Sequence, residues 1–273
     1  MKEPEVKQQT PAGAVNGRHE GSVVRSEPPA EQSLVTLSKV RKNPVVEAYI
    51  MKANEQMVAI GYTEHGHRHA SIVAAIARSL CLEMGRSPRE AEVSAIAGYL
   101  HDIGNMVHRV MHPQIGASIA MRLLDQMGMD PIEIGTIAGA IGNHEEPDGT
   151  PVSVASAAVI LADKSDVHYS RVQNRDPSTF DIHDRVNHAV RKSYLRVDDR
   201  PKIPHTAAEA ADLAPNGSSQ TPGKIVRLDL TIDTQEATVM EYFEIFIGRM
   251  VMCRRAAELL GAKFHLEING VDL

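Results

Sequence analysis

The sequence predicts a mostly α-helical chain that ends in a small β-α-β module. Three observations carry this. Apolar residues recur at helical spacing in seven stretches between residues 44 and 195. The connections between those stretches are short, as in a helical bundle. Near the C-terminus, two alternating segments flank one long helical stretch. The composition, 42% hydrophobic and 23% charged over 273 residues, suits a soluble globular protein with a sizeable core.

Residues 1–33 are rich in Pro, Gly, Glu, Gln and Ser and lack an apolar period. They are expected to form a disordered tail. A helical domain is expected over 34–200. Its first clear helix spans 44–60, where Val45, Val46, Tyr49, Ile50, Ala53 and Met57 share a face and Gly61 ends it. Further helices are expected at about 69–85, 88–103, 113–128, 131–145, 152–170 and 183–195. Pro88, Pro113, Pro131 and Pro151 suit first-turn positions.

Residues 201–223, PKIPHTAAEAADLAPNGSSQTPG, are expected to form a linker or long loop. The module occupies 224–273. Val226, Leu228, Leu230 and Ile232 alternate with Arg227, Asp229, Thr231 and Asp233, the pattern of a half-buried strand. A helix at about 237–260 follows, and Phe264, Leu266 and Ile268 alternate in a last strand. Two strands alone are marginal, so the module must pack on the helical domain or pair with a second copy. Val239, Phe243, Phe246, Met250 and Met252 all require cover, first from the core and second from a homodimer contact through the module.

The net charge of −6 gives no basic field for a nucleic-acid polymer. No apolar run approaches the ~20 residues that span a bilayer. The N-terminus lacks the apolar core of a signal peptide, so a cytoplasmic location without membrane attachment is expected. The two cysteines, Cys81 and Cys253, form neither a disulfide framework nor a cysteine zinc site. The unusual feature is thirteen histidines.

Several of these end apolar stripes. His69 shares a face with Ile72, Val73, Ile76 and Leu80. Val93, Ile96, Ala97 and Leu100 lead to His101-Asp102 in YLHDIG. Ile134, Ile137, Ala138 and Ile141 lead to His144, and Val152, Ala155 and Val159 lead to Asp163. A lone buried histidine is usually a satisfied core residue. Four stripes that each end in an ionisable group favour a shared cation, which offsets the desolvation of all of them. Histidine with aspartate and no cysteine suits Fe, Mn, Co or Zn with open positions. Asp102 has two oxygens and can bridge two ions ~3.5–4 Å apart. His112, just before Pro113, is a further ligand candidate, and His108 a solvent-facing alternative.

HRHASIV at His69, YLHDIG at His101-Asp102, MHPQIGA at His112, IGNHEEPDGT at His144 and LADKSD at Asp163 together resemble the HD superfamily of metal-dependent phosphohydrolases. The resemblance covers about residues 60–175 and implies an HD-domain helical bundle. It implies one metal held by His69, His101, Asp102 and Asp163, and a second held by Asp102, His112 and His144. Two divalent transition metals per chain are therefore expected, iron or manganese before zinc, cobalt, nickel or magnesium. HEEPDGTP is also similar to the HD-GYP cyclic-dinucleotide phosphodiesterases. Asn143 replaces their second histidine, Asn105 replaces a common lysine, and the GYP triplet is missing, departures that weigh against cyclic-dinucleotide cleavage.

The implied activity is hydrolysis of a phosphoester or phosphoanhydride bond in a small nucleotide-like substrate by metal-activated hydroxide. Asp102 and Lys164 are the catalytic candidates. Arg68, Lys164, Arg171 and Arg175 are the candidates for gripping phosphate, since guanidinium forks match its oxygens. A diiron oxygenase and a nucleotide sensor without turnover are the alternatives. The second His-Asp pair, His183-Asp184, is read as a helix start. His65 can extend the metal site.

Overall fold

Capping residues set the helix starts. Asn43 accepts hydrogen bonds from the backbone nitrogens of Val45 and Val46 ahead of a helix over Pro44–Ala59. Ser87 and Glu90 form a capping box at Pro88–Leu100, Asp130 caps Pro131–Gly142, and Thr238 with Glu241 boxes Val239–Leu259. Each satisfies backbone N–H groups that the first turn leaves without partners. The computed structural model describes residues 34–199 and 223–273. The expected tail over 1–33 and the linker over 201–223, Gly223 excepted, lie outside the described residues.

The helices are α1 (Leu37–Arg41), α2 (Pro44–Ala59), α3 (His67–Glu83), α4 (Pro88–Leu100), α5 (His112–Gln126), α6 (Pro131–Gly142), α7 (Val154–Ser165), α8 (Ile182–Ala189) and α9 (Val239–Leu259). A 3₁₀ turn over Ile103–Met106 follows α4. The strands are β1 (Val190–Asp199), β2 (Lys224–Ile232), β3 (Ala262–Ile268) and β4 (Val271–Asp272).

Helix α7 is the centre of the fold. Its sequence VASAAVILADKS is buried from Ala155 through Ser165, as expected of a helix that is apolar all round. Ala155 and Val159 join a cluster with Val46, Ile96, Leu100, Leu124 and Ile141. Ala158, Leu161 and Ala162 join a second with Val73, Val226, Leu228, Tyr242 and Phe246. Helices α3, α4, α6 and α9 all pack on α7.

The sheet runs β1-β2-β3-β4. β2 and β3 are parallel and are joined through α9, which completes the β-α-β unit. β1 is antiparallel to β2, with Leu195 opposite Leu228 and Val197 opposite Val226. The expected helix over 183–195 is therefore shorter. It stops at Ala189, and the chain continues as β1 because the apolar edge of β2 supplies a ladder partner that local periodicity does not reveal. The start expected near 152 also shifts. Ser153 and Ser156 form the capping box, so Pro151 precedes the cap instead of filling the first turn. In α9, Tyr242, Phe246, Met250 and Met252 are buried within the chain itself. Among the described residues no helix is long and apolar enough to cross a membrane.

Candidate metal centre

The glycine of YLHDIG explains how the centre is built. A Cβ on Gly104 would overlap the carbonyl oxygen of His112 and lie 2.6 Å from the nitrogen of Gly116. Only glycine lets the turn after α4 press against the first turn of α5. His101 caps α4, Asp102 opens the 3₁₀ turn, and His112 opens α5. The close approach delivers His112 beside Asp102. His69 comes from the first turn of α3, His144 from the segment after α6, and Asp163 from the last turn of α7.

The structure brings these six residues together. The Nε2 atoms of His69 and His101 are 3.2 Å apart, and those of His112 and His144 are 3.1 Å apart. Asp163 Oδ1 lies 3.2 Å from His69 Nε2 and 3.6 Å from His101 Nε2. Asp102 divides its oxygens. Oδ2 faces His101 Nε2 at 3.2 Å and His69 Nε2 at 3.5 Å, whereas Oδ1 faces His112 Nε2 at 3.3 Å and His144 Nε2 at 3.9 Å.

The outer nitrogens determine what the inner ones offer. Nδ1 of His101, His112 and His144 lies 2.8, 2.7 and 2.6 Å from the carbonyl oxygens of Gly98, Arg109 and Ile141. A carbonyl only accepts, so in each neutral ring the proton sits on Nδ1 and the lone pair on Nε2. His69 Nδ1 donates to Asp166 Oδ2 at 2.7 Å, so its Nε2 is likewise an acceptor. Paired lone pairs at this range repel unless a cation stands between them. Among the described residues, buried Asp102 Oδ2 has no hydrogen-bond partner. Donors about 2.1 Å from one ion, at octahedral or tetrahedral angles, lie about 3.0–3.4 Å from each other. The spacings of 3.1–3.3 Å fit that requirement, whereas His69 and His144 to Asp102, and His101 to Asp163, are longer at 3.5, 3.9 and 3.6 Å.

The field has the same sense. Burial lowers the pKa of His101, but Asp102 and Asp163 outweigh it and push the value up to about 10. A positive charge is strongly favoured there, whether from a proton or a metal ion. His144 is lowered to about 3 by burial and by His101 and His112. Burial raises the carboxyls of Asp102 and Asp163, yet the cationic partners hold both well below the ordinary range, His101 foremost for Asp102 and Lys164 for Asp163. The combinations His69/His101/Asp163, His101/Asp102/His144 and His112/His144/Glu145 can each hold an ion.

The basic candidates divide. Lys164 is almost fully buried, with its Nζ 2.9 Å from Asp163 Oδ2, 3.0 Å from Glu145 Oε2 and 2.9 Å from Glu146 Oε2. Burial lowers its pKa, but these carboxylates win and raise it, so the ammonium does not act as a base. It is a counter-ion that orients Asp163. Arg68 forms a fork with Asp166, at 3.1 and 3.2 Å. Arg171 is buried, and its three nitrogens donate to the backbone oxygens of Glu64 and Asp166. Arg175 is exposed, and no contact joins it to the centre. His108 is exposed. Asn105 Nδ2 donates to Asp102 Oδ1 at 2.8 Å, and Asn143 Nδ2 to Gly139 O. Asp181, two residues before His183, makes the α8 cap.

Sequence reasoning missed Asp166, Glu145, Arg109 and Arg249. Asp166 lies inside the motif LADKSD and completes an Asp166–His69 pair of the kind that orients metal-binding imidazoles. A search for carboxylates near each ligand could have found it, and Glu145 directly after His144 likewise. Arg109 Nη2 donates to Glu145 Oε1 at 2.8 Å. Arg249, on α9, carries no local signal.

Residues 66–171 match the family model of the HD domain. The segment is an HD domain. All six ligand candidates fall inside it. A protein of Methanocaldococcus jannaschii described as uncharacterized is 30% identical over 101 residues, which cover 32% of this chain and 39% of that protein. The chain thus matches well under half the length of that relative. The crystal structure of a predicted HD superfamily hydrolase from an uncultured Thermotogales bacterium is 22% identical, with a TM-score of 0.37, and the match covers 49% of this chain and 75% of that one.

Proposed function

We infer that the HD domain holds two divalent metal ions and hydrolyses a phosphoester or phosphoanhydride bond of a small nucleotide-like substrate. The observation that carries this is the division of Asp102, one oxygen toward the His69/His101 pair and the other toward the His112/His144 pair. That is the arrangement of a bridging carboxylate between two cations. When bound, the ions supply Lewis acidity and lower the pKa of water towards ~7.

The chain's residues do the rest. Asp166, held by the Arg68 fork, keeps the His69 proton on Nδ1. The backbone carbonyls of Gly98, Arg109 and Ile141 do the same for the other three imidazoles. Fixed in this way, the donors need no reorganisation as charge develops on phosphoryl oxygens. Arg109 places Nη1 3.3 Å from the lone-pair nitrogen His112 Nε2, at the edge of the centre, where a guanidinium can meet a phosphate oxygen. Lys164 neutralises Asp163, Glu145 and Glu146 behind the site.

Metal analysis of anaerobically purified protein, followed by a phosphate-release panel of nucleotides and dinucleoside polyphosphates, tests the reading. About two metal equivalents and release that depends on them are expected, with both lost in Asp102→Ala. Turnover retained by verified metal-free Asp102→Ala would overturn it.

A further inference from the structure

Beside the centre lies a cavity of about 350 Å³, lined among others by Tyr62, His65, Arg109, Arg171, Phe246 and Arg249. Two contacts join it to the centre. The His65 and His69 rings are 5.6 Å apart, and Arg109 abuts His112. Three guanidinium groups from distant parts of the chain meet in it, and each is immobilised. Arg171 is pinned by backbone carbonyls. Arg109 is bonded to Glu145 and lies over the Tyr62 ring, 5.3 Å from its centroid. Arg249 donates from Nε to Glu146 Oε1 at 3.2 Å and lies over the Phe246 ring at 4.5 Å.

The Nη1 and Nη2 groups of Arg249 make no hydrogen bond with any described residue. Asp181 and Asp184 also line the cavity, but neither bonds to Arg249: Asp181 accepts from the backbone nitrogen of Asp184, and Asp184 from Asn174 Nδ2. His65 donates from Nδ1 to Thr63 O, and its Nε2 has no hydrogen-bond partner among the described residues. A fixed fork of free N–H donors matches the oxygens of a phosphate. One face of each aromatic ring holds a guanidinium, so Tyr62 and Phe246 act here as platforms for the arginines. The volume is near the lower limit of small-molecule pockets, ~300–1,000 Å³, which suits one anionic group and not a second nucleotide.

We propose that this cavity binds a second phosphate group of the substrate through Arg249 and Arg109, so that the preferred substrates are small organic compounds carrying two phosphates. This rests on the reading of the metal centre as a phosphoryl site. It also assigns α9 a place in the active site, since Arg249 comes from the C-terminal module.

The test uses α,ω-alkylbisphosphonates with one to four methylenes, each against the alkylmonophosphonate of the same length. These are titrated by calorimetry into as-purified full-length protein of measured metal content. At one chain length or more, the bisphosphonate is expected to bind at least tenfold more tightly. In Arg249→Met that preference falls to about one, while monophosphonate affinity stays within twofold. Arg249→Lys restores part of it, and Thr63→Phe, which fills the cavity while leaving every arginine in the chain, abolishes it. A wild-type ratio near one at every length, or a ratio unchanged in Arg249→Met or Thr63→Phe, overturns the proposal. Failure of phosphate release with the bisphosphonate preference intact would instead count against hydrolysis alone.

Discussion

Replacing Asp166 by asparagine isolates the role of a residue that touches no metal. Its Oδ2 is 2.7 Å from His69 Nδ1, and both oxygens face the Arg68 fork at 3.1 and 3.2 Å. Asparagine keeps the shape and one acceptor. Its amide nitrogen, however, confronts either the Arg68 fork or His69 Nδ1, donor against donor. The negative charge that makes His69 a better lone-pair donor is lost. Removing such a partner reduces metal affinity by roughly 10–100-fold, or about 1.4–2.7 kcal/mol. The Arg68 pair itself adds little, because that side chain is a third exposed and exposed pairs contribute about 0–1 kcal/mol. Chelator-competition titration of Mn²⁺ and Zn²⁺ into wild-type, Asp166→Asn and Arg68→Met proteins measures the effect. Urea unfolding verifies that each variant is folded. Arg68→Met should lose less than tenfold. Wild-type affinity, within twofold, in a folded Asp166→Asn protein would refute the coupling between Asp166 and the centre.

Other perturbations reach different parts of the fold. Gly104→Ala forces a Cβ into the backbone of α5; overpacking costs about 1–3 kcal/mol, and both the urea midpoint and metal content should fall. Stripping metal with a chelator should lower the unfolding free energy by about 4 kcal/mol relative to protein in metal at 1,000 times its Kd, read as a fall in Tm. Burial pushes the Cys253 thiol up to about 12 and raises Cys81 as well. Because the thiolate is the reactive form, neither should label with a disulfide reagent at pH 8 until the chain unfolds. Between the ordinary thiol value and about 12, the folded state keeps a proton on Cys253 that the unfolded chain releases, so stability should fall as pH rises through that window.

Much of the helical layout was legible because caps and apolar periods are local. Pro88, Pro113 and Pro131 stand in first turns, and the stripes lead to the centre as the periodicity aims them, except that Val152 is exposed ahead of α7 and the fourth stripe begins at Ala155. The strand β1 was not legible. Its partner β2 lies beyond a stretch of more than twenty residues, and a segment reads as a strand or as a helix end according to what pairs with it. Lys164 and Arg68 show the same limit. Their position beside ligand residues suggested phosphate contacts, whereas the fold surrounds one with carboxylates and ties the other to Asp166.

What the sequence by itself determined was the set of donors: imidazoles and carboxylates at the ends of buried stripes, with Gly104 leaving room for them to meet. Ligand identity and helix phase are properties of a few neighbouring residues. Only the tertiary structure decided the partners of those donors. Asp166 reaches His69 across 97 positions, and Arg249 reaches Glu146 across 103. Contacts of that range depend on how α3 and α9 each pack against α7, and no local pattern encodes that packing.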